Sequence, residues 1–96
     1  MGNREREREE ARLDEMSRPM REACHEWARA RGVGYSSGWN KRDERWHFDA
    51  TDGTHAEIAE DGSEASVRHG PADGGRIAIR TRSARGLRLL LWKSVA

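Results

Sequence analysis

The sequence predicts a single α+β domain in which an N-terminal helix packs on an antiparallel β-meander of about five to six strands. Apolar residues recur at three- and four-residue steps up to Gly32, and the period then changes to two. Asp-Gly, Gly-Pro and Arg-Gly pairs separate the alternating segments, as turns do. The 96 residues suffice for one domain of this kind and no more.

The N-terminal helix is predicted in two parts. Residues 3 to 16, NREREREEARLDEM, place opposite charges three residues apart, which favours a solvated helix, so we assign residues 1–16 to a charged, fraying helix and 17–96 to the α+β domain. Pro19 predicts a kink or break near residues 17 to 19, with Ser17 as the N-cap of a second segment. The apolar stripe that faces the sheet comprises Leu13, Met16, Met20, Ala23, Cys24 and Trp27.

After Gly32 we predict strands near residues 33–37, 45–51, 54–60, 64–69, 75–81 and 87–93. In the last strand, Leu87, Leu89 and Leu91 would point to the core, while Leu90 and Trp92 would form an exposed apolar pair. Such a pair is typical of a partner or homodimer surface. The alternative is that LRLLLWK, residues 87 to 93, is a short helix.

One register of the central strands brings every apolar side chain to one face, under the helix. It pairs Trp46 with Ile58, Phe48 with Ala56, Ile58 with Ala65, and Ala56 with Val67. A slip of one residue would turn a whole strand over, so this register is the favoured one.

The same register collects polar side chains on the opposite face. His47 lies across from Glu57, Asp49 lies across from His55, and Arg68 follows on the next strand. Cross-strand neighbours have Cβ atoms about 4.5–5.5 Å apart, so each imidazole can bond a carboxylate, which favours the imidazolium form. We interpret these pairs first as surface ion pairs and assign a catalytic role to none of these residues.

The alternative for this cluster is general acid–base cleavage of RNA. A His or Glu would take the 2′-hydroxyl proton, another group would protonate the leaving oxygen, and Arg68 would hold the phosphate. A helix behind an antiparallel sheet with Glu, Arg and His on its open face is similar to the layout of metal-independent ribonucleases of the barnase type, although no motif matches residue by residue. Metal binding through His47, His55, Asp49 and Glu57 lacks the enclosure of a typical zinc site, so we expect no metal and no cofactor.

Charge is distributed unevenly along the chain. Residues 43–64 carry one basic and eight acidic side chains, whereas residues 65–96 carry seven basic and one acidic. The basic end predicts a nucleic-acid-binding sheet face, with Tyr35 or Trp39 available to stack a base. The candidate residues are Arg68, Arg76, Arg80, Arg82 and Arg88.

These observations favour a small non-enzymatic binding module that contacts nucleic acid or a nucleic-acid-handling protein. The alternatives are a protein-binding inhibitor or adaptor that uses Leu90 and Trp92, and a metal-independent ribonuclease. Val, Ile, Leu and Phe total only 12 residues, and so thin a core commonly needs a ligand, a partner or a second copy, which makes a homodimer a further expectation.

Several classes of protein are disfavoured by the sequence. No apolar run approaches the roughly 20 residues of a membrane span, and the start MGNREREREE lacks the apolar core of a signal peptide, so we expect a cytoplasmic protein without a membrane partner. The single Cys24 excludes an intramolecular disulfide. His25 and His69 have no evident partners, and we expect both to be exposed.

Overall fold

The chain folds into two helices and a five-stranded sheet. The computed structural model describes residues 2–70 and 79–93. Its elements in chain order are α1 (Gly2–Arg31), β1 (Tyr35–Asn40), β2 (Arg45–Ala50), β3 (His55–Ala59), β4 (Ala65–Arg68), β5 (Ile79–Thr81) and α2 (Ala84–Lys93). Each strand pairs antiparallel with the next along the chain. The predicted α+β class, N-terminal helix and meander are therefore confirmed.

Helix α1 is a single helix that contains Pro19. Ser17 is fully buried inside this helix, so it does not cap a second segment. The helix is continuous through residues 17 to 19, so it is not broken there, and the alternative of a kink stays a prediction. The predicted end is confirmed: Gly32 has a φ of 66°, its N–H donates to the carbonyl of Arg29 at 3.2 Å, and the N–H of Val33 donates to the carbonyl of Ala28 at 2.9 Å. These two bonds form a Schellman motif, which satisfies the last helical carbonyls.

Both helices pack on one face of the sheet. The buried hydrophobic residues are Met20, Ala23, Cys24, Trp27 and Ala28 of α1, Phe48, Ala56, Ile58, Ala65 and Val67 of the sheet, and Leu87 and Leu91 of α2. Every buried sheet residue in this set belongs to the face predicted from the alternation. Two residues of the predicted helical stripe do not belong to this core, because Met16 is half-exposed and Leu13 is only partly buried. No described helix covers the other face of the sheet, which we call the open face.

The predicted register of β2, β3 and β4 is confirmed. Trp46 lies opposite Ile58 and Phe48 opposite Ala56. In the next hairpin Ile58 lies opposite Ala65. The first strand begins at Tyr35 and ends at Asn40, later than predicted. Residues 75–78 of the fifth predicted strand lie outside the described residues.

The prediction of a strand over residues 87–93 is wrong, and the alternative of a short helix is confirmed. Helix α2 starts after Ser83, whose Oγ accepts the N–H of Gly86 at 2.9 Å. A serine at this position satisfies an N–H of the first turn, which has no partner within the helix. The cap was visible in the sequence as Ser83, four residues before Leu87.

Helical spacing changes which leucines of α2 are buried. Leu87 and Leu91, one turn apart, are fully buried, and Leu90 packs against the core. Leu89 is 66% exposed and Trp92 is also exposed. The predictions that Leu89 points inward and Leu90 outward are therefore wrong, because they assumed a period of two.

Candidate histidine–carboxylate site

The open face brings together the polar residues that the sequence placed there. His47 lies opposite Glu57 in the β2–β3 pair, and Asp49 lies opposite His55. Across the next pair His55 lies opposite Arg68. The predicted arrangement of these five residues across three strands is therefore confirmed.

Each imidazole in this cluster is bonded to a carboxylate. His55 Nδ1 lies 2.6 Å from Asp49 Oδ1, and His55 Nε2 lies 3.5 Å from Glu57 Oε2. His47 Nε2 lies 2.6 Å from Asp43 Oδ2 and 3.9 Å from Glu57 Oε1. Because an ionised carboxylate can only accept, the N–H of each short bond belongs to the imidazole. Glu57 thus lies between two histidines that are each held by a second carboxylate.

The inner members of the cluster are partly shielded from water. The exposed fractions of the side chains of His47, His55 and Glu57 are 23%, 17% and 32%. Asp49 is 61% exposed, so it forms the outer edge of the cluster. The two imidazole rings lie 5.5 Å apart between their centroids. In the described part of the chain, His47, His55 and Glu57 form a group that could hold a metal ion, since one ligand atom of each lies within 4.8 Å of the others.

Asp43 is a member of the cluster that sequence reasoning missed. It belongs to the turn between β1 and β2, where its Oδ1 also accepts the N–H of Arg45 at 3.1 Å. Desolvation raises the pKa of Asp43, but the hydrogen bonds from His47 and from the Arg45 N–H outweigh it, so the pKa lies below its ordinary value. The sequence offered one signal of this contact, an Asp four residues before the strand residue His47. Alternation did not reveal the contact, because the alternation of faces along a strand does not extend into a turn.

The predicted arginines do not all lie on the open face. Arg68 belongs to it, and Arg80 lies opposite Ser66 on the same face. Arg88 is on α2, where it pairs with Glu26 of α1 at 3.5 Å, so its predicted place on the sheet is wrong. Arg82 is exposed in the connection between β5 and α2. Arg76 lies outside the described residues.

Arg68 and Arg80 differ from Arg45, the other arginine of this face. Arg45 pairs with Glu64 at 3.1 Å. Within the part of the chain that the structure describes, neither Arg68 nor Arg80 has an acidic partner, and the buried Nε of Arg68 has no hydrogen-bond acceptor. These two guanidinium groups are therefore unpaired cations on the described strands of the open face.

The aromatic residues predicted to stack bases lie on the other face. Tyr35 stacks on His25 at 5.0 Å between ring centroids, and Trp39 contacts Trp46 edge-on at 5.4 Å. Both rings therefore face the helical layer, and the expectation that they serve the arginine face is wrong.

His25 and His69 are half-buried rather than exposed. His25 Nε2 lies 3.2 Å from Ser37 Oγ. His69 Nε2 donates to the carbonyl of Leu90 at 3.2 Å, which links the end of β4 to α2. Both histidines therefore have structural partners that alternation along the strands did not reveal.

A shallow depression leads to the cluster from the edge of the sheet. Its volume is about 580 Å³, and its lining includes Ser36, Gly38, His47 and Asp49. Gly38 lies opposite His47, and a Cβ added to it would meet no atom within 4 Å. The absence of a side chain at Gly38 keeps this approach to His47 open.

Among the described residues, no helix combines the length and the apolar character needed to cross a membrane. Comparisons with protein-family models, curated proteins and solved structures found no match to this chain. Of the two residues predicted to bind a partner, Trp92 is exposed and Leu90 packs against the core, and a partner or homodimer at this surface stays a prediction.

Proposed function

We propose that this chain is a small non-enzymatic binding module that contacts nucleic acid through the β4–β5 half of its open face, with backbone phosphates bound by Arg68 and Arg80. The observation that carries the proposal is that these two guanidinium groups have no acidic partner among the described residues. Unpaired arginines are suited to phosphate oxygens, which they bind in a bidentate manner.

The placement of the two arginines supports contact with an extended strand. Arg80 lies opposite Ser66, and Arg68 lies two residues further along β4 on the same face. Such diagonal neighbours are about 7–8 Å apart, and the hydroxyl of Ser66 between them is a further donor. No described aromatic side chain lies on this face, so we expect phosphate contacts without base stacking and hence little sequence preference.

Salt dependence tests this proposal. For a fluorescein-labelled single-stranded RNA, anisotropy titrations between about 50 and 200 mM salt should give a slope of log K against log salt near −1.4, since each phosphate neutralised on a single strand contributes about −0.7. Arg68→Ala and Arg80→Ala should each reduce the slope by about 0.7.

Arg88→Ala is the matched control, because Arg88 is already paired with Glu26 on the helical side of the molecule. We expect this variant to leave the slope unchanged. Binding that is independent of salt, or an Arg88→Ala effect as large as that of Arg68→Ala, would contradict the proposal. If the chain binds an RNA–protein complex in a salt-sensitive manner but does not bind RNA alone, this result would instead favour a nucleic-acid-handling protein as the partner.

A metal-independent ribonuclease is a second candidate, favoured by one observation. Asp49, His55 and Arg68 are neighbours across three strands, which combines an oriented imidazole with an unpaired phosphate-binding group. Turnover of single-stranded RNA in EDTA, lowered roughly a hundredfold by His55→Gln, would support this candidate. His25→Gln is the control and should leave turnover unchanged. Absence of turnover by the wild-type protein would exclude the ribonuclease candidate.

A further inference from the structure

The spacing of His47, His55 and Glu57 matches that of ligands around a single ion. His55 Nε2 and Glu57 Oε2 are 3.5 Å apart, and His47 Nε2 and Glu57 Oε1 are 3.9 Å apart. Four ligands about 2.1 Å from a tetrahedral Zn²⁺ ion are separated by about 3.4 Å from one another. One ligand atom of each of the three residues lies within 4.8 Å of the other two, so an ion could bind all three after side-chain rotations that shorten these separations.

Asp49 supplies the support that a metal-binding histidine requires. Asp49 accepts the Nδ1–H of His55 at 2.6 Å. In a neutral ring the lone pair is then on Nε2, the nitrogen that lies 3.5 Å from Glu57 Oε2. A carboxylate in this position fixes the tautomer and the ring orientation of a metal ligand and raises its basicity.

The local charge also favours a cation. Three carboxylates, those of Asp43, Asp49 and Glu57, surround the two imidazoles, whereas Arg68 is the single arginine directly across from His55. Asp43 Oδ2 lies 2.6 Å from His47 Nε2, so its carboxylate is within reach of an ion bound to that nitrogen.

We propose that His47, His55 and Glu57 bind a divalent transition-metal ion, Zn²⁺ in particular, on the open face. From the sequence we expected no metal because an open strand face offers no enclosure, but the three ligands are each at least two-thirds shielded. An ion bound at His47 Nε2 would displace the proton that this nitrogen donates to Asp43, and that proton would be released to solvent. Two imidazoles and one carboxylate leave at least one coordination position free, and the depression beside Gly38 gives access to it.

Titration of the metal-free wild-type protein with ZnCl₂ tests this site. Calorimetry should show one Zn²⁺ ion bound per chain, and excess Mg²⁺ should not compete, because Mg²⁺ prefers oxygen ligands and a full octahedral shell. Long-range ¹H–¹⁵N spectra of the four histidines identify the ligands without any substitution. The resonances of His47 and His55 should shift on saturation, and those of His25 and His69 should not.

Substitutions give an independent measure. His47→Gln, His55→Gln and Glu57→Gln should each weaken Zn²⁺ binding at least about 100-fold, while Asp49→Asn should weaken it about 10- to 100-fold through the loss of support for His55. His25→Gln removes a histidine from the other face and should leave the affinity unchanged. Circular dichroism of each variant confirms that it is folded.

The proposal is overturned if wild-type protein shows no saturable binding of Zn²⁺, or if His25 or His69 responds in place of His47 and His55. It does not depend on nucleic-acid binding, which is assigned to other residues. Arg68→Ala should remove one of the two phosphate contacts described above and leave the Zn²⁺ site occupied, so the two proposals fail separately.

Discussion

Gly62 is the residue through which the β3–β4 turn contacts helix α1. Its φ is 71°, in the left-handed region, and a Cβ built on it would meet the carbonyl oxygen of Met16 and lie 3.0 Å from the Cα of Ser17. Gly32 has a similar φ of 66°, yet a Cβ built there would meet no atom within 4 Å. Both Gly62→Ala and Gly32→Ala should therefore lower the free energy of unfolding because alanine disfavours a left-handed conformation. Only Gly62→Ala should lower it further, through the steric clash with α1.

The shared cost is the left-handed conformation, about 1–2 kcal/mol for a residue with a Cβ. Gly62→Ala adds the displacement of helical backbone, which overpacking data place at about 1–3 kcal/mol, so its total is about 2–5 kcal/mol. With a urea m-value of about 1–3 kcal/mol/M, the midpoint should fall clearly below that of Gly32→Ala. Urea titrations followed by circular dichroism measure this difference. Equal midpoints for the two variants would refute the close contact between the turn and the helix.

Three further predictions concern the helical layer. Leu87→Ala should lower the free energy of unfolding by about 2–5 kcal/mol, whereas Leu89→Ala should change it by less than about 0.5 kcal/mol; a larger effect of Leu89 in urea titrations would contradict the helical assignment of α2. Burial raises the pKa of the Cys24 thiol to about 12, so iodoacetamide should label it at near-neutral pH only after denaturation, and rapid native labelling would disprove its burial. Burial, aided by Arg29 and Arg21, lowers the pKa of His25 below its ordinary value of 6.5. The folded state then binds this proton less readily than the unfolded state, so stability should fall as the pH is lowered from above 6.5 through the folded pKa. His25→Gln should reduce this dependence of stability on pH, and an unchanged profile would contradict the role of His25 in it.

The central sheet could be predicted from the sequence because its alternation admits one register. Trp46, Phe48 and Ile58 bury a whole face only when they lie on the same side, and a slip of one residue would expose them. The positions of His47 and Glu57 on the opposite face then followed from geometry alone. A strong apolar pattern thus predicted the polar site indirectly.

The C-terminal segment could not be predicted in the same way, because short apolar runs fit both periods. Leu87, Leu89 and Leu91 satisfy a strand, whereas Leu87 and Leu91 with Leu90 satisfy a helix. In the structure Ser83 caps α2 through the N–H of Gly86, and such a local contact is not part of the apolar period from which the strand was predicted. The error placed Arg88 on the sheet, whereas it belongs to the helical layer, and therefore put one wrong residue into the predicted binding face.

The contacts of Asp43 show a second limit of sequence reasoning. Its carboxylate reaches His47 from a turn, and turn side chains have no fixed period relative to the strands they connect. The same holds for His69, whose partner is a carbonyl of α2. Contacts between elements distant in sequence depend on packing, which alternation does not encode.

The two proposed sites meet at the cross-strand neighbours His55 and Arg68, so occupation of one should affect the other. A Zn²⁺ ion adds two positive charges, and at about 10 Å from a bound phosphate in water the attraction is about 0.8 kcal/mol, roughly a fourfold gain in affinity. Screening reduces this gain above about 0.1 M salt, where the Debye length is about 10 Å. By linkage, RNA should tighten Zn²⁺ binding by the same factor. RNA anisotropy with and without ZnCl₂ measures the effect, and His47→Gln, which removes the ion but leaves Arg68 in place, is the control. If Zn²⁺ weakens RNA binding, or tightens it equally in His47→Gln, then the ion and the RNA do not bind at the neighbouring residues to which they are assigned.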